Sequence, residues 1–248
     1  MSPAIAILMK LRLDRLLVER GLAESREKAQ ALIMAGEVLL DGQKAAKPGQ
    51  PVSEDAALEV LARPPFVSRG GVKLAAALRH FSIDVNGRVC LDIGSSTGGF
   101  TDALLQAGAE RVHAVDVGAG QLDWRLRTDS RVVPHEGVNA RSLGLATVGE
   151  MPWLITCDVS FISVTLILPA AVPLLQPDGR MVILIKPQFE VGKGQVGKGG
   201  IVREPALHQA ACDRVSNAVR QLGFATDIIE SPILGAEGNK EFLLYARR

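Results

Sequence analysis

The sequence predicts a small α+β unit followed by a larger α/β domain, whose mostly parallel sheet is covered by helices on both faces. Two observations support this fold class. From Val89 onward, short β-rich runs alternate with helical stretches, which is typical of a doubly wound sheet. The first part of the chain instead contains two amphipathic helices followed by short strands. We therefore expect domains at 1–62 and 67–248, joined by a linker at 63–66.

The composition is that of an ordinary globular protein. The 248 residues carry a formal charge of +1 and are 47% hydrophobic, so any contact with nucleic acid has to be a local patch. The longest apolar stretches are shorter than the roughly 18 to 20 residues that span a bilayer, and the N-terminal stretch lacks the features of a secretory signal. The three cysteines are far apart and lack the spacing of a zinc site. We expect a cytoplasmic protein in a reducing compartment, without membrane contact.

The first unit has clear helix and turn signals. Apolar residues at helical spacing predict a helix over 11–20, with Gly21 as its C-terminal cap. Ser25 is placed to cap a second helix, REKAQALIMAG, which Gly36 ends. The run EVLLDGQKA then predicts a hairpin with a DG turn, and LEVL near residue 60 predicts a further strand. A unit of this size is too small to be an enzyme by itself.

The larger domain is expected to contain seven strands. The first five are VCLDI, VHAV, VVPHE, LITC and MVILI, and the last two are 225–230 and 242–246. The loop between the last two strands suggests a hairpin-like ending, which would place one antiparallel strand in the sheet. Helices are expected at 100–106, 163–174 and 205–222, and the Gly- and Lys-rich segment 192–200 is expected to be a mobile loop.

A glycine-rich turn follows the first strand of this sheet. In a doubly wound sheet the ligand lies at the carboxyl ends of the strands, where Asp92 and the turn GSSTGG are found. Asp116 ends the next strand, 24 residues later, and its carboxylate could accept hydrogen bonds from ribose hydroxyls. The glycine spacing does not match a dinucleotide fingerprint. The glycines alone would also suit a tight turn without a ligand. Asn139, after the third strand, is either an adenine contact or an ordinary asparagine in a turn.

The turn resembles the D-x-G-x-x-x-G-G turn of class I, Rossmann-like methyltransferases. That resemblance implies S-adenosylmethionine as the cofactor and S-adenosylhomocysteine as the product. It implies cofactor contacts at Asp92, Gly94, Ser95, Ser96, Thr97, Gly98, Gly99, Phe100, Asp116, Val117, Asn139 and Asp158.

Four charged residues are candidates for the reaction centre. After the fourth strand the chain reads CDVSF, which includes Asp158 and differs from the NPPY-like turn of amino-methylating enzymes. Lys186 directly follows the buried run MVILI, where a lysine either extends to solvent or is desolvated, which favours the neutral amine of a general base. Lys73 and Glu241, taken separately, are each typical of a solvated surface charge.

Together, these four residues resemble the Lys-Asp-Lys-Glu tetrad of the FtsJ-like RNA ribose 2′-O-methyltransferases. The resemblance implies that Lys186 deprotonates a ribose hydroxyl, whereas Lys73, Asp158 and Glu241 orient that hydroxyl and tune the lysine. It implies no metal.

The first unit resembles the RNA-binding domain shared with the fourth small-subunit ribosomal protein, through RLDRLLVERGLAESREKAQALIMAGEVLLDG. The resemblance implies that basic residues of this unit face RNA and contact mostly phosphates, which gives affinity more than sequence specificity. Acidic residues are interleaved with the basic ones, so each charge could equally be an ordinary surface charge. The candidate RNA-binding residues are Arg12, Arg15, Arg26, Lys28 and Lys44.

The whole set of motifs, with FVSRGG, CLDIGSSTGGFTD, CDVSFIS and IKPQFE, is similar to the TlyA family, also labelled haemolysin A. The family implies methylation of cytidine 2′-hydroxyls in ribosomal RNA or ribosomal subunits, in the large-subunit 23S RNA and, for a longer form, also in the 16S RNA. The chain ends seven residues after Glu241, which favours the shorter form, whereas the residues before the RNA-binding pattern leave the subtype open.

Two alternatives to this function are kept. One takes the haemolysin label literally, as a membrane-active protein, and the other is an RNA-binding ribosome assembly factor without catalysis. The oligomeric state is left open between a monomer and a weak dimer. The linker RPPF at 63–66 is expected to allow limited motion, because it contains two prolines, and we hypothesise that it communicates RNA binding to the cofactor site.

Overall fold

The computed structural model describes residues 10–61, 64–235 and 237–248. The chain divides into two compact units, Met1–Pro64 and Pro65–Arg248, and each is described by itself. The N-terminal residues considered for a signal, and Arg63 of the expected linker, lie outside the described residues.

The first unit packs two helices against short antiparallel strands. Its elements are the strand β1 (Lys10–Arg12), the helices α1 (Leu13–Glu19) and α2 (Arg26–Met34), and the strands β2 (Val38–Leu40), β3 (Gln43–Lys44), β4 (Pro51–Ser53) and β5 (Leu58–Val60). Strand β1 pairs with β4, and β2 lies between β3 and β5. The buried core is formed by leucines of α1 together with Ile33 and Val38.

Most of the predicted turns of this unit are confirmed. Gly21 has a φ of 69°, as expected for a left-handed cap, and Ser25 Oγ accepts a hydrogen bond from Lys28 N at 3.2 Å. The hairpin turns at Asp41 and Gly42, which both have positive φ. The predicted start of the first helix is wrong, because residues 10–12 form the strand β1. Three residues are too few for their period to reveal a strand.

The second unit is built on a seven-stranded sheet, as predicted. The strands are β6 (Val89–Ile93), β7 (Arg111–Asp116), β8 (Val132–Glu136), β9 (Leu154–Cys157), β10 (Arg180–Ile185), β11 (Ala225–Glu230) and β12 (Phe242–Arg247). Their order is β11-β12-β10-β9-β6-β7-β8, and β12 runs antiparallel to both of its neighbours. The antiparallel ending is therefore confirmed. The strand order reverses between β6 and β9, so their carboxyl ends form the expected ligand-binding edge.

Helices cover both faces of this sheet. They are α3 (Gly70–His80), α4 (Gly99–Gln106), α5 (Trp124–Arg127), α6 (Leu145–Val148), α7 (Leu168–Ala171), α8 (Pro187–Glu190) and α9 (Pro205–Gln221). Leu91 and Ile93 of β6 pack into one apolar cluster with α9, whereas the intervening side chains of β6 face α3 and α4 on the opposite side. Cys90, Cys157 and Cys212 are all buried free thiols.

One predicted helix differs in the structure, and one observed helix was not predicted. The helix expected over 163–174 is divided into Val164–Leu166, α7 and Val172–Leu174, of which the first and last are 3₁₀ turns. Pro169 and Pro173 lie at the starts of the last two pieces, where a missing N–H is tolerated. Helix α3 was not among the predicted elements.

The Gly- and Lys-rich segment, expected to be a mobile loop, contains the 3₁₀ turns Lys193–Gln195 and Lys198–Gly200. Asn239 holds its end, since Asn239 Nδ2 donates to Gly200 O and Asn239 Oδ1 accepts from Val202 N, both at 2.9 Å. No helix in the described ranges is long and apolar enough to cross a membrane.

Candidate active site

The turn after β6 lies against the turn after β9. Gly94 has a φ of 85°, and a Cβ at this position would overlap the backbone carbonyl of Asp158. Asp158 N in turn donates to Ile93 O at 2.9 Å. Only glycine permits this close approach. The two turns therefore form one continuous surface at the point where the strand order reverses.

Asp116 lies at the end of β7 and holds the turn after β6 from its other side. Its carboxylate accepts hydrogen bonds from Ser96 N at 2.8 Å and from Gly118 N at 2.7 Å. Asp116, Val117 and Asn139 all line a cavity of about 460 Å³, called here the cofactor cavity. Its remaining walls are mainly apolar and contain Val115, Val138, Ile162 and Ile167.

Asn139 combines the two interpretations that the sequence left open. Its side chain accepts a hydrogen bond from Arg141 N at 3.0 Å and so caps the 3₁₀ turn Ala140–Ser142. The same residue lines the cofactor cavity. It is therefore a turn residue that is also placed to contact a ligand.

A second cavity of about 740 Å³, called here the reaction cavity, adjoins the first. The two share walls formed by Gly94, Ser96, Asp158, Ser160 and Phe161. Of the residues expected to contact the cofactor, the reaction cavity also contains Ser95, Thr97, Gly99 and Phe100.

Asp92 and Gly98 line neither cavity. Asp92 is fully buried beneath the turn, where it accepts hydrogen bonds from Thr101 Oγ1 at 2.7 Å and Thr156 Oγ1 at 3.0 Å. Burial raises the pKa of Asp92 to about 7, against the opposing effect of these two hydrogen bonds. A Cβ at Gly98 would overlap Leu126, so this glycine permits close packing. Both positions are suited to shaping the turn.

The four charged residues expected at the reaction centre all line the reaction cavity. Lys73 comes from α3 and Glu241 directly precedes β12, and their Nζ and Oε2 atoms are 2.5 Å apart in a buried ion pair. Asp158 and Lys186 follow the adjacent strands β9 and β10, and Nζ lies 2.5 Å from Oδ1. The Lys186 side chain is 12% exposed, so it is mostly desolvated rather than extended into solvent.

Several residues of the reaction cavity were missed by the sequence reasoning, and three of them, Ser160, Phe161 and Gln188, lie close to Lys186 in the structure or the sequence. Lys186 Nζ donates to Ser160 Oγ at 2.9 Å. Phe161 has a φ of 66° and a side chain that is 92% exposed, and its ring centroid lies 5.3 Å from that of Phe189. Gln188 lies between Lys186 and Phe189, and its Oε1 is buried without a hydrogen bond from any described residue. The motifs CDVSF and KPQFE contain all three, but nothing in their spacing distinguishes them.

The first unit contains the predicted RNA-binding residues. Arg12 and Arg26 both contact the buried carboxylate of Asp14, and each remains about half exposed. Arg15 pairs with Glu19 at 2.8 Å on the surface of α1. Lys28 and Lys44 are exposed. Arg12 and Arg26 are thus brought together, although neither is free of an acidic partner.

A family model described as FtsJ-like methyltransferase matches residues 66–248. The chain belongs to the FtsJ-like methyltransferase family. This FtsJ-like methyltransferase also matches the S4 domain at residues 11–58, which confirms the similarity of its first unit to the fourth small-subunit ribosomal protein. The predicted class of enzyme is therefore confirmed.

Close relatives cover nearly the whole of this FtsJ-like methyltransferase. It is 48% identical to the 16S/23S rRNA (cytidine-2′-O)-methyltransferase TlyA of Mycobacterium tuberculosis, over 96% of this chain and 90% of the relative. It is 42% identical to Hemolysin A of Brachyspira hyodysenteriae, over 95% and 99% of the two chains. A solved structure from Streptococcus thermophilus, described as a hemolysin, is 42% identical with a TM-score of 0.73, over 97% and 89%. The predicted membership of the TlyA group is confirmed.

Proposed function

We propose that this protein transfers a methyl group from S-adenosylmethionine to the ribose 2′-hydroxyl of a cytidine in ribosomal RNA, with Lys186 as the general base. One observation carries the proposal. The two Lys-carboxylate pairs, both largely shielded from water, line a single cavity, and that cavity adjoins a second one lined by the carboxylate and polar groups expected to hold the cofactor.

The residues of the cofactor cavity fit S-adenosylmethionine. Asp116 supplies a carboxylate for ribose hydroxyls, and Gly94, which has no Cβ, lines the same cavity beside the Asp158 carbonyl. A volume of about 460 Å³ is suitable for a ligand of this size. Asp116 and Asn139 would hold the nucleoside part, and the turn from Ser95 to Phe100 would contact the rest. When bound, this cofactor supplies an electrophilic methyl group carried on a cationic sulfur.

The ion pairs of the reaction cavity suit the removal of a proton from an alcohol. A ribose hydroxyl is a weak acid, so it needs a base within hydrogen-bonding distance and a fixed orientation. Lys186 lines the reaction cavity and pairs with Asp158, which lines both cavities, so it would lie close to the methyl donor. In our proposal Lys186 Nζ accepts the hydroxyl proton and Asp158 stabilises the resulting ammonium. Lys73 and Glu241 hold each other in place and contact the hydroxyl from the opposite side.

Two features favour an RNA substrate. Phe161 presents an exposed ring at the rim of both cavities, and aromatic rings of this kind stack on unpaired bases. Its positive φ is a conformation that a phenylalanine adopts only when the surrounding structure imposes it, which is common at functional sites. The basic residues of the first unit, with Arg12 and Arg26 side by side, would bind phosphates.

The identity of the RNA is taken from the relatives. The M. tuberculosis relative is named for both 16S and 23S rRNA, whereas a 39% identical relative from Campylobacter jejuni is named for 23S rRNA. We propose the 23S RNA as the target, in the cytoplasm where ribosomes are assembled. Methylation of 16S RNA is a separate outcome of the test. Membrane activity, which the name Hemolysin A of one relative suggests, is another.

The test uses Lys186→Met together with Lys240→Met as a matched control. Lys240 is an exposed lysine that pairs with Glu230 and lines neither cavity. Purified variants are incubated with labelled cofactor and with ribosomal subunits from cells that lack this gene, and 2′-O-methylcytidine is measured in each RNA by mass spectrometry.

Lys186→Met should lower transfer by at least about 100-fold, as expected for loss of a general base. Its affinity for S-adenosylmethionine, measured by calorimetry, should stay close to that of the original protein. Lys240→Met should transfer normally. Normal transfer by Lys186→Met would contradict the assigned base, and leakage of lipid vesicles without methyl transfer would contradict the function.

A further inference from the structure

The ammonium of Lys186 has two neighbours from a single turn. Nζ lies 2.5 Å from Asp158 Oδ1 and donates to Ser160 Oγ at 2.9 Å. The two contacts differ in kind. Asp158 Oδ1 has no aligned hydrogen bond to any described residue, so the Asp158 contact is a close ion pair with poor angles, whereas the Ser160 contact is an aligned hydrogen bond.

This difference matters because an ion pair attracts Nζ without fixing its rotation about the Cε–Nζ bond. An aligned hydrogen bond to a second atom fixes that rotation. A neutral amine has two N–H groups and one lone pair, so when the two N–H groups point at Asp158 and Ser160, the direction of the lone pair is determined.

We infer that Ser160 is a positioning residue for Lys186, which directs the lone pair of the amine toward the ribose hydroxyl. The inference rests on the proposed role of Lys186 as the general base. Ser160 lines both cavities, so its hydroxyl lies where the methyl donor and the acceptor would meet. A hydroxyl suits this place, since it accepts the N–H of the amine without adding a charge beside the cationic donor.

The turn that carries Ser160 is held on both sides. It begins at Asp158, whose N–H is bonded to β6. It ends at Ser163, where Ser163 Oγ donates to Glu190 Oε2 at 2.6 Å and Val164 N donates to Glu190 Oε1 at 2.8 Å. Glu190 is buried and belongs to α8, which starts directly after Lys186. The donor and the acceptor of the Lys186–Ser160 bond are therefore both attached to the same short helix.

The test compares Ser160→Ala with Ser160→Thr in the full-length protein. Alanine removes the hydroxyl, and threonine keeps it. The transfer rate is measured in single turnovers at saturating cofactor and saturating ribosomal subunits, from cells that lack this gene, and the affinities for S-adenosylmethionine and for the subunits are measured separately. Thermal unfolding of each variant reports on the fold.

We expect Ser160→Ala to lower the saturated rate about tenfold, which is the effect of one hydrogen bond used in the transition state. Both affinities should stay within about twofold, since the bond orients the base rather than binding a ligand. Ser160→Thr should restore the rate to within about threefold of the original. A purely structural role would lower the unfolding temperature and would not produce this separation of rate from affinity.

Three results would overturn the inference. An unchanged saturated rate in Ser160→Ala, with Lys186→Met inactive, would show that Ser160 does not orient the base while leaving the proposed base intact. A loss confined to cofactor affinity would make Ser160 a wall of the cofactor cavity only. Normal transfer by Lys186→Met would remove the base itself, and the role of Ser160 with it.

Discussion

Two buried aspartates of this protein have opposite environments, although both are shielded from water. Asp14 lies against the guanidinium groups of Arg12 and Arg26, and the hydrogen bond from Arg12 is the main cause that holds its pKa well below the usual range. Asp92 is hydrogen-bonded by the hydroxyls of Thr101 and Thr156 and by the backbone of Thr101, but burial outweighs these bonds and its pKa rises to about 7. The first acid is suited to holding arginines in place, whereas the second titrates near neutral pH beneath the turn after β6.

The raised pKa of Asp92 predicts a specific dependence of stability on pH. Because the folded protein binds this proton more tightly than the unfolded chain, Asp92 favours folding below pH 4, and this contribution is lost as the pH rises toward about 7. The free energy of unfolding should therefore fall over this range, by at most about 1.4 kcal/mol per pH unit from this group.

Asp92→Asn removes the titration and keeps the size of the side chain. As the pH rises from 4.5 to 7.5, the original protein should lose stability that Asp92→Asn does not lose. The variant should therefore become more stable relative to the original protein. Urea unfolding at several pH values measures it. Parallel curves for the two proteins would mean that Asp92 does not titrate in this range.

At the scale of elements, the site depends on how closely the turns after β6 and β9 approach each other. Gly94 is the residue that permits this approach. Glu190 of α8 fixes the far end of the second turn, and α3 and β12 bring Lys73 and Glu241 to the same cavity. None of these elements contains the whole site. The site is assembled from residues next to the ends of separate strands and from helix α3, and such a location at strand ends is usual in doubly wound sheets.

Gly94→Ala should damage the cofactor site. The new Cβ would overlap the carbonyl of Asp158, so the two turns would have to separate, and a left-handed φ is also unfavourable for alanine. We expect a loss of about 2 kcal/mol or more in stability and at least a tenfold loss of cofactor affinity.

Gly223→Ala is the matched control for this change. Gly223 has a φ of 88°, close to that of Gly94, but a Cβ there would contact nothing within 4 Å. It should therefore show only the backbone cost, with normal cofactor affinity by calorimetry. Equal effects of the two substitutions would indicate that backbone strain, and not the contact with Asp158, requires glycine at position 94.

The sequence predicted the seven strands because each is a continuous apolar or alternating run, and the hairpin because Asp41-Gly42 has a specific turn preference. Strand β1 was not predicted, because three residues are too few to show the alternation of a strand. Residues 163–174 were predicted as one helix, because apolar spacing does not show that the helix is divided near Pro169 and Pro173.

Asp158 and Lys186 could be selected because each follows a strand that ends at one edge of the sheet, whereas Lys73 and Glu241 were selected only through the resemblance to the Lys-Asp-Lys-Glu tetrad. Ser160 and Phe161 could not, because their positions depend on the conformation of a turn that has a positive φ at a phenylalanine. No local preference of the sequence favours that conformation.

At the scale of the whole molecule, we propose that RNA binding and methyl transfer belong to different units. The net charge is only +1, so attraction to RNA requires a local group of basic residues, and we propose the group in the first unit. The second unit contains the two cavities and the four charged residues. We therefore expect RNA affinity and cofactor affinity to respond to different substitutions and to different solution conditions.

Salt should separate these two affinities. Affinity for ribosomal RNA should fall steeply with ionic strength, whereas affinity for S-adenosylmethionine should change little. Replacing the exposed Lys28 and Lys44 by glutamine should reduce the slope of log affinity against log salt by about 0.7 to 0.9 for each phosphate contact that is lost. Filter binding at 50 to 200 mM salt measures the slope. An unchanged slope in the double variant would place the RNA-binding surface elsewhere.

The burial of all three cysteines has a practical consequence. Burial raises the pKa of Cys90 to about 12 and that of Cys212 to about 11, and it also raises the pKa of Cys157, so none of them is a ready thiolate. Maleimide dyes should then react selectively with a cysteine introduced on the surface. Two such cysteines, one in each unit, could be labelled without first removing the native thiols. Fluorescence energy transfer between the two dyes would then report the distance between the units when RNA binds and dissociates.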